Sequence, residues 1–163
     1  MKETRVINPE LIEILSIKTL EGNIHAGAEA DLTAVIGHNF NFELGTAIDA
    51  PEKIAAFKLT VQIDAVGAER AALDIKGSYT HEIIFRVENL DDFLETKEGE
   101  NFPRIDLLLA ATLVGIAYST VRGIIFTRTQ GTSLNAVVLP VVDPKKIMGI
   151  AEEKSSSEYL KKE

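Results

Sequence analysis

The middle of the chain alternates between apolar and polar residues over three long stretches. They run from Leu32 to Leu44, from Phe57 to Ala65 and from Leu73 to Val87. A period of two predicts half-buried β-strands with one apolar face. Ile12 to Leu20 is also apolar and extended in character, although its alternation is imperfect. The pattern therefore predicts about four long strands.

The links between the last three strands are short and contain turn residues. Asp49 to Glu52 includes a proline, and Gly67 to Glu69 begins with a glycine. Long strands that are joined by short links pair antiparallel. We therefore expect one antiparallel sheet.

A long apolar helix is predicted after the strands. The stretch "LLLAATLVGIAYSTVRGIIF", residues 107–126, carries one charge, that of Arg122. Asp106 can cap the start of the helix and Gly131 can end it. Fifteen uncharged residues separate Asp106 from Arg122, whereas a membrane span needs roughly 18 to 20. We expect a helix buried in protein and no membrane span.

One row of this helix contains only small side chains. Its members are spaced by four residues and are Ala111, Gly115, Ser119 and Gly123. A glycine inside a helix costs about 1 kcal/mol relative to alanine, and close approach of another backbone would offset that cost. Two interpretations stay open. The row lies over the protein's own sheet, or it is an oligomer interface on a helix that is buried on two faces.

The end of the chain predicts a second, shorter helix. Pro140 argues against a central strand there. Asp143 followed by Pro144 has the pattern of an N-cap and a first helical residue. The order of elements predicts an α+β two-layer domain, with about four long antiparallel strands followed by one long and one short helix. We assign this domain to residues 1–153 and a polar, flexible tail to residues 154–163.

Composition and charge exclude several classes of function. A net charge of −8 makes nucleic acids and anionic membranes poor partners. The chain has no cysteine, which excludes disulfides, thiolate metal sites and a cysteine nucleophile. No apolar run of signal-peptide length follows the first residues, so we expect a cytoplasmic protein.

The residues offer no pattern for catalysis. A phosphate-binding glycine loop and a GxSxG motif are absent from the sequence. His25, His38 and His81 form no close ligand pair, and the last two fall on apolar strand faces, where satisfied core or groove histidines are more common than ligands. The acidic run from Glu88 to Glu100 is typical of a solvated connection. We expect no enzyme, no cofactor and no metal site.

The order of elements, together with three short motifs, resembles the SecB export chaperone family, its divergent members in particular. The motifs are "YSTVR" at 118–122, "GT" at 131–132 and "LPVVDPKKI" at 139–147. The resemblance covers the chain from about Ile12 to Met148. It implies a cytoplasmic, ATP-independent holdase that forms a homotetramer, with long helices packed between two sheets. Such proteins bind unfolded preproteins and other non-native chains along apolar grooves and deliver them to the SecA motor.

A holdase of this kind needs accessible apolar side chains. Aromatic residues at strand or helix positions that can border a cleft are candidates for client binding, and a place in the core is the alternative for each of them. These candidates are Phe40, Phe42, Tyr79, Phe85, Tyr118 and Phe126.

The last residues depart from the family's pattern. The familiar form ends in an acidic tail that docks on SecA, whereas "EEKSSSEYLKKE" mixes lysines with the acids. If this chain binds SecA, we expect an acidic sheet face to do so, with candidates Glu43, Asp64, Asp74 and Glu82. Three alternatives stay open: a SecB-like chaperone of a toxin–antitoxin module, a binding module for one dedicated partner, and a small-ligand binding module.

Overall fold

Four long strands form one antiparallel sheet in the spatial order β1–β4–β3–β2. Their bounds in the computed structural model are Ile12–Ala26 for β1, Gly37–Asp49 for β2, Ile54–Val66 for β3 and Ala72–Val87 for β4. The structure describes residues 5–135 and 137–150, so the predicted tail at 154–163 lies outside the described residues.

The helices follow the sheet, as predicted. Two strands of two residues each, β5 at Leu94–Glu95 and β6 at Arg104–Ile105, pair as a small antiparallel hairpin. Helix α1, Leu107–Thr129, follows this hairpin, and the short helix α2, Pro144–Ile147, comes last. Short 3-10 turns occupy Pro9–Leu11, Leu32–Ala34, Ala68–Arg70 and Leu90–Phe93. The predicted α+β class, with four strands, one long helix and one short helix, is confirmed.

Strand β1 continues beyond the predicted Leu20 to Ala26 and contains two irregularities. The pairing with β4 shifts between Ile14 and Ser16 and again between Thr19 and Glu21. Each shift adds one residue to β1 and reverses the faces of the residues that follow. Two such bulges explain why the alternation along β1 is imperfect in the sequence.

Strand β2 begins at Gly37, five residues later than the alternation predicts. Asp31 accepts hydrogen bonds from the Thr33 amide at 2.9 Å and from the Thr33 hydroxyl at 2.6 Å, and so caps a 3-10 turn at Leu32–Ala34. A local cap of this kind competes with strand formation. The prediction of a strand from Leu32 was therefore wrong for its first five residues.

One face of the sheet carries the core. Along β3, and on β4 from Ile75 onward, the side chains that point toward α1 are buried, and α1 packs on them with one side of its surface. By length and composition α1 is apolar enough to cross a membrane, but in this structure it is the core helix of an α+β domain. The largest buried side chains on the central strands are Phe57, Leu59, Ile63, Ile75, Ile83 and Phe85.

Both helix starts have the predicted caps. Asp106 accepts a hydrogen bond from the Leu108 amide at 2.9 Å, and Asp143 accepts one from the Lys145 amide at the same distance. The side-chain caps satisfy amides that have no partner inside their own helix. α1 ends just before Gly131, which adopts the left-handed φ of 70° that favours glycine.

The segment after α1 returns antiparallel along the helix. The Thr129 hydroxyl accepts a hydrogen bond from the Val137 amide at 3.1 Å, and the Tyr118 hydroxyl donates one to the Pro140 carbonyl at 2.6 Å. Further along, a Cβ on Gly115 would lie 3.4 Å from the Pro144 ring. These contacts bring α2 back beside the first half of α1.

The Thr129 hydroxyl predicts a stability difference. It is fully buried, donates to the Ile125 carbonyl and accepts the Val137 amide. Thr129→Val keeps the shape but leaves that buried amide unpaired, which should lower the free energy of unfolding by about 1–3 kcal/mol. Thr127→Val is the matched control, because its hydroxyl makes the same type of helical bond on the exposed side. Equal chemical denaturation midpoints for both variants would contradict the assignment.

Candidate functional site

The outer edge of β2 leaves part of the apolar sheet face accessible. β2 pairs with β3 in an unbroken register, and its other edge has no strand partner among the described residues. Alternate side chains on its helix side are only half-buried, although most of them pack against the core. We call this set the β2 ledge, and it comprises His38, Phe40, Phe42, Leu44 and Ile48.

Two adjoining cavities extend the β2 ledge toward the start of α1. The first has a volume of about 320 Å³ and lies between β2, β6 and the first turns of α1. The second, of about 290 Å³, shares Arg104, Ile105 and Met148 with the first. Together they form what we call the Met148 groove, lined by Leu44, Thr46, Ile48, Phe57, Glu95, Lys97, Pro103, Arg104, Ile105, Leu107, Ala110, Met148 and Ile150.

Short elements hold the walls of the Met148 groove in place. The Asp106 amide donates to the Phe93 carbonyl at 2.6 Å, which fixes the β5–β6 hairpin beside α1. Met148 follows α2, and its amide donates to the Pro144 carbonyl at 3.0 Å. A methionine side chain adapts its shape to different neighbours. The groove therefore combines fixed walls with one adaptable side chain.

Charges border the groove, and ion pairs hold two of its charged lining residues, Arg104 and Glu95. Arg104 lies 2.7 Å from Glu100, and Arg5 lies 3.2 Å from Glu95 and 3.4 Å from Asp106. The interior between them is mostly aliphatic and aromatic. Such a groove suits large apolar side chains and does not select strongly for charge.

Exposed apolar side chains continue the groove across the surface. Phe102, two residues before β6, is 79% exposed, Leu108, in the first turn of α1, is 50% exposed, and Ile150, after α2, is 38% exposed. Large apolar side chains that cluster on a surface mark interaction sites more often than isolated ones do. This end of the molecule is therefore the strongest candidate for binding another chain.

The structure divides the six predicted aromatic residues into two groups. Phe40 and Phe42 are half-buried on the β2 ledge, and Phe126 is exposed on α1. The other three, Tyr79, Phe85 and Tyr118, are buried in the core. Tyr118 still borders the ledge, because its ring meets Phe42 edge-on at 5.5 Å, and burial raises the pKa of its hydroxyl to about 12.

The small-residue row of α1 is also divided. Gly115 faces Pro144 of its own chain, so at this position the small side chain lets α2 approach. Ala111 is half-buried, whereas Ser119 and Gly123 are exposed. A Cβ on Gly123 would meet nothing within 4 Å. Only the second half of the row is open to another subunit.

The four predicted acidic residues lie on the sheet face away from the helices. Lysines alternate with them there, because the register sets Lys58 and Lys18 beside Glu82 and Lys76 beside Asp64. In addition, Asp74 lies 3.2 Å from His25. Glu43 is exposed on the edge strand β2. This face is mixed in charge rather than uniformly acidic.

His81 lies on the central strand β4 and is buried in the core. It is 0% exposed and stacks on Tyr79 with ring centres 6.4 Å apart, and both of its ring nitrogen atoms lack a hydrogen-bond partner among the described residues. The expectation of a satisfied core histidine holds for its burial but not for its hydrogen bonds. Burial and the nearby charge of Arg128 lower the pKa of His81.

Sequence reasoning missed several groove residues. Ile48 lies beyond the predicted end of β2, Ile105 precedes α1 and Met148 follows α2. They are far apart in the sequence and meet only through the tertiary fold. The alternation of Phe40, Phe42 and Leu44 was the one signal that pointed to this face.

Comparison with known proteins supports the fold. No family model and no curated sequence matches the chain. The solved structure of the Mycobacterium tuberculosis Rv1957 SecB-like chaperone, in complex with a ChAD peptide from the Rv1956 HigA1 antitoxin, has a TM-score of 0.58 and 12% identity, and the match covers 82% of this chain and 91% of that one. A protein of unknown function from Streptococcus agalactiae, 12% identical over 80% of this chain and 97% of that one, has a TM-score of 0.36, too low for a conclusion. This chain has a SecB-like α+β fold.

The unpaired His81 predicts a loss of stability in mild acid. Its folded pKa lies below the 6.5 of a free histidine, so the unfolded chain binds a proton first as the pH falls. The contribution of His81 to the free energy of unfolding is therefore at its full value above about pH 6.5. Below that pH it decreases by up to about 1.4 kcal/mol per pH unit until the folded pKa is reached. Burial also lowers the pKa of His38, which adds to the same trend.

His81→Leu tests the assignment. Leu59 on β3 is the paired neighbour of His81 on β4, so an apolar side chain fits the surroundings of this position. Denaturant unfolding between pH 7 and pH 5 should show a smaller loss of stability in the variant than in the wild type. An identical pH slope for the two proteins would assign the loss to other groups.

Proposed function

We propose that this chain is a non-enzymatic, ATP-independent chaperone that holds apolar segments of non-native proteins in the Met148 groove and along the β2 ledge. The observation that carries the proposal is the open apolar groove beside a sheet edge that has no strand partner in the part of the chain that the structure describes. The SecB-like fold supports it, since the similar Rv1957 chaperone was solved with a bound peptide.

The groove has the properties that a binder of many sequences needs. The free edge of β2 presents backbone donors and acceptors that any extended chain can pair with. On the helix side, apolar side chains recur every second residue of β2 and meet the alternate side chains of such a chain. Met148 adapts to residues of different size. Contacts of this type require no defined client sequence.

The exposed parts of α1 and β1 support a homotetramer as the working form. α1 is apolar on most of its surface, yet only one side of it is buried in this chain. Ile14 and Ile17 on the edge strand β1 are 43% and 45% exposed. In a SecB-like assembly, helices packed between two sheets would cover such surfaces.

The destination of the client separates two versions of the function. In the export version, a cytoplasmic holdase transfers preproteins to SecA, and the mixed-charge sheet face would have to supply the contact. In the alternative version, the chain guards the antitoxin of a toxin–antitoxin module. The antitoxin peptide in the Rv1957 structure favours the alternative. Titration with purified SecA, and with an antitoxin encoded beside this chain, distinguishes them.

Ile48→Ser tests the groove. Ile48 lines the larger cavity, and loss of this apolar contact should weaken binding of a labelled apolar peptide by about 5- to 30-fold, from about 1–2 kcal/mol. Ile84→Ser is the matched control, because Ile84 is a half-buried isoleucine on the opposite sheet face. Anisotropy titrations, with light scattering of an aggregating reporter protein, measure both variants. Equal losses in the two variants would remove the groove from the proposal.

Gly123→Leu tests the assembly. Within one chain the new side chain meets open space, and leucine favours a helix over glycine by about 1 kcal/mol, so the fold should persist. Overpacking between subunits costs about 1–3 kcal/mol, which would raise the dissociation constant of the assembly about 5- to 150-fold. Gly123→Ala is the control and should assemble like the wild type. Light scattering that reports a wild-type monomer at micromolar concentration would overturn the tetramer.

A further inference from the structure

The helix layer of this acidic protein carries the opposite charge. Residues 107–142 comprise α1 and the segment that returns along it, and they contain two arginines and no acidic residue. We call residues 137–142 the return segment. The β2 ledge adds no acidic side chain, because Glu43 points to the other sheet face. The surface that α1, the return segment and the ledge form together is therefore apolar and positively charged.

Arg122 is the cation that lies beside the client-binding candidates. Tyr118, Arg122 and Phe126 are spaced by four residues, so they form one row along α1. The ring of Tyr118 meets the ring of Phe42 on the β2 ledge, with their centres 5.5 Å apart, and Phe126 is 38% exposed. Arg122 is therefore flanked by two aromatic side chains, one of which borders the ledge.

No acidic side chain balances Arg122 in the part of the chain that the structure describes. Arg122 is half-buried, and no hydrogen bond or ion pair joins it to a described residue. Its charge acts on the Tyr118 hydroxyl, which donates to the Pro140 carbonyl, so the guanidinium lies on the side of α1 that faces the return segment. Val138 and Val141 of that segment are 64% and 89% exposed. A partly desolvated cation near apolar side chains attracts an anion more strongly than a cation in open water does.

The location of Arg122 separates it from the surface assigned to subunit contact. Gly123, where the assembly is tested, lies about 100° farther around the helix. Arg128 points toward β1, because its charge acts on His81 and its Nη1 atom lies 4.0 Å from the position that a Cβ of Gly22 would take. Of the two arginines on α1, Arg122 is therefore the one that faces the client surface.

We infer that the preferred clients carry an acidic residue within their apolar segment, whose carboxylate binds Arg122 while neighbouring apolar side chains contact Phe126 and the β2 ledge. The inference rests on the proposed function and names the client class of that surface. Arginine can bind a carboxylate through two parallel N–H···O bonds, which adds orientation to affinity. Because Arg122 is only half-buried, solvent screens part of the attraction, and we expect a gain in affinity of about 3- to 30-fold.

The net charge and the local charge predict opposite preferences. A net charge of −8 by itself favours basic clients. Charges farther away than about 8–10 Å are largely screened at ordinary ionic strength, whereas a carboxylate in contact with Arg122 is not. We therefore expect the local cation to decide which segments bind.

Paired peptides measure this preference. In each pair, a labelled apolar peptide carries either one glutamate or one glutamine at the same position, and that position moves along the peptide from pair to pair. At one position or a few neighbouring ones, the wild type should bind the glutamate peptide about 3- to 30-fold more tightly in anisotropy titrations at low salt, and the difference should shrink in about 1 M salt. Equal affinities in every pair would overturn the inference and leave the proposed function intact. Absence of binding to any peptide would refute the proposed function, and the client class with it.

Variants assign the preference to one residue. Arg122→Gln should bind the glutamine peptides like the wild type and show no preference for glutamate, and Arg122→Lys, which keeps the charge but not the planar fork, should retain part of the preference. Arg128→Gln is the matched control, because it removes the same charge from the same helix on the side toward β1, and it should keep the full preference. A preference that persists in Arg122→Gln, or that Arg128→Gln loses to the same extent, would overturn the inference. A smaller mass of Arg122→Gln in light scattering would assign Arg122 to a subunit contact and would also overturn it.

Discussion

One helix has to cover a sheet that is wider than itself, and most of the structure follows from this mismatch. Four strands spaced about 4.8 Å apart are wider than the roughly 10 Å of a helix with its side chains. α1 therefore packs on the central strands β3 and β4, whose helix-side residues are almost all buried, whereas the helix-side residues of the edge strands stay partly open. The contrast is direct along one row of the sheet, where Ile83 on β4 is fully buried and its partner Ile17 on β1 is 45% exposed. The β2 ledge is the same effect at the other edge.

The remaining elements cover part of the sheet face that α1 leaves open, and they form the walls of the Met148 groove over the rest of the β2 edge. The return of the chain along α1, fixed by the bonds of Thr129 and Tyr118, covers the side toward β2. The approach of Pro144 to Gly115 then sets how far α2 and Met148 reach over the edge. A larger residue at Gly115 would push α2 and Met148 away from α1. The small residue at this position of α1 therefore controls the width of the Met148 groove. The opposite sheet face needs no cover, because polar and charged side chains alternate there.

The fold could be predicted from the sequence because its signals are local. Alternation identified the strands, short links identified antiparallel neighbours, and Asp106 and Asp143 identified both helix starts. The failures were local as well. The bulges in β1 interrupt the period of two, and the Asp31 cap turns an alternating stretch at Leu32–Ala34 into a 3-10 turn. In both cases a local backbone feature interrupts the alternation from which the strand was predicted.

The site could be predicted only in outline, because accessibility depends on the position of a strand in the sheet. Phe42 and Phe85 have the same alternating surroundings in the sequence, yet Phe42 lies on an edge strand and Phe85 on a central one. Sequence order does not reveal this difference, since the strand after β1 in the chain is not its neighbour in the sheet. The groove needs a further step, because Ile48, Ile105 and Met148 meet only after the hairpin and α2 have packed. The chain carries a net charge of −8, which opposes non-specific association of molecules, whereas short-range apolar contacts in the groove remain available to a bound segment.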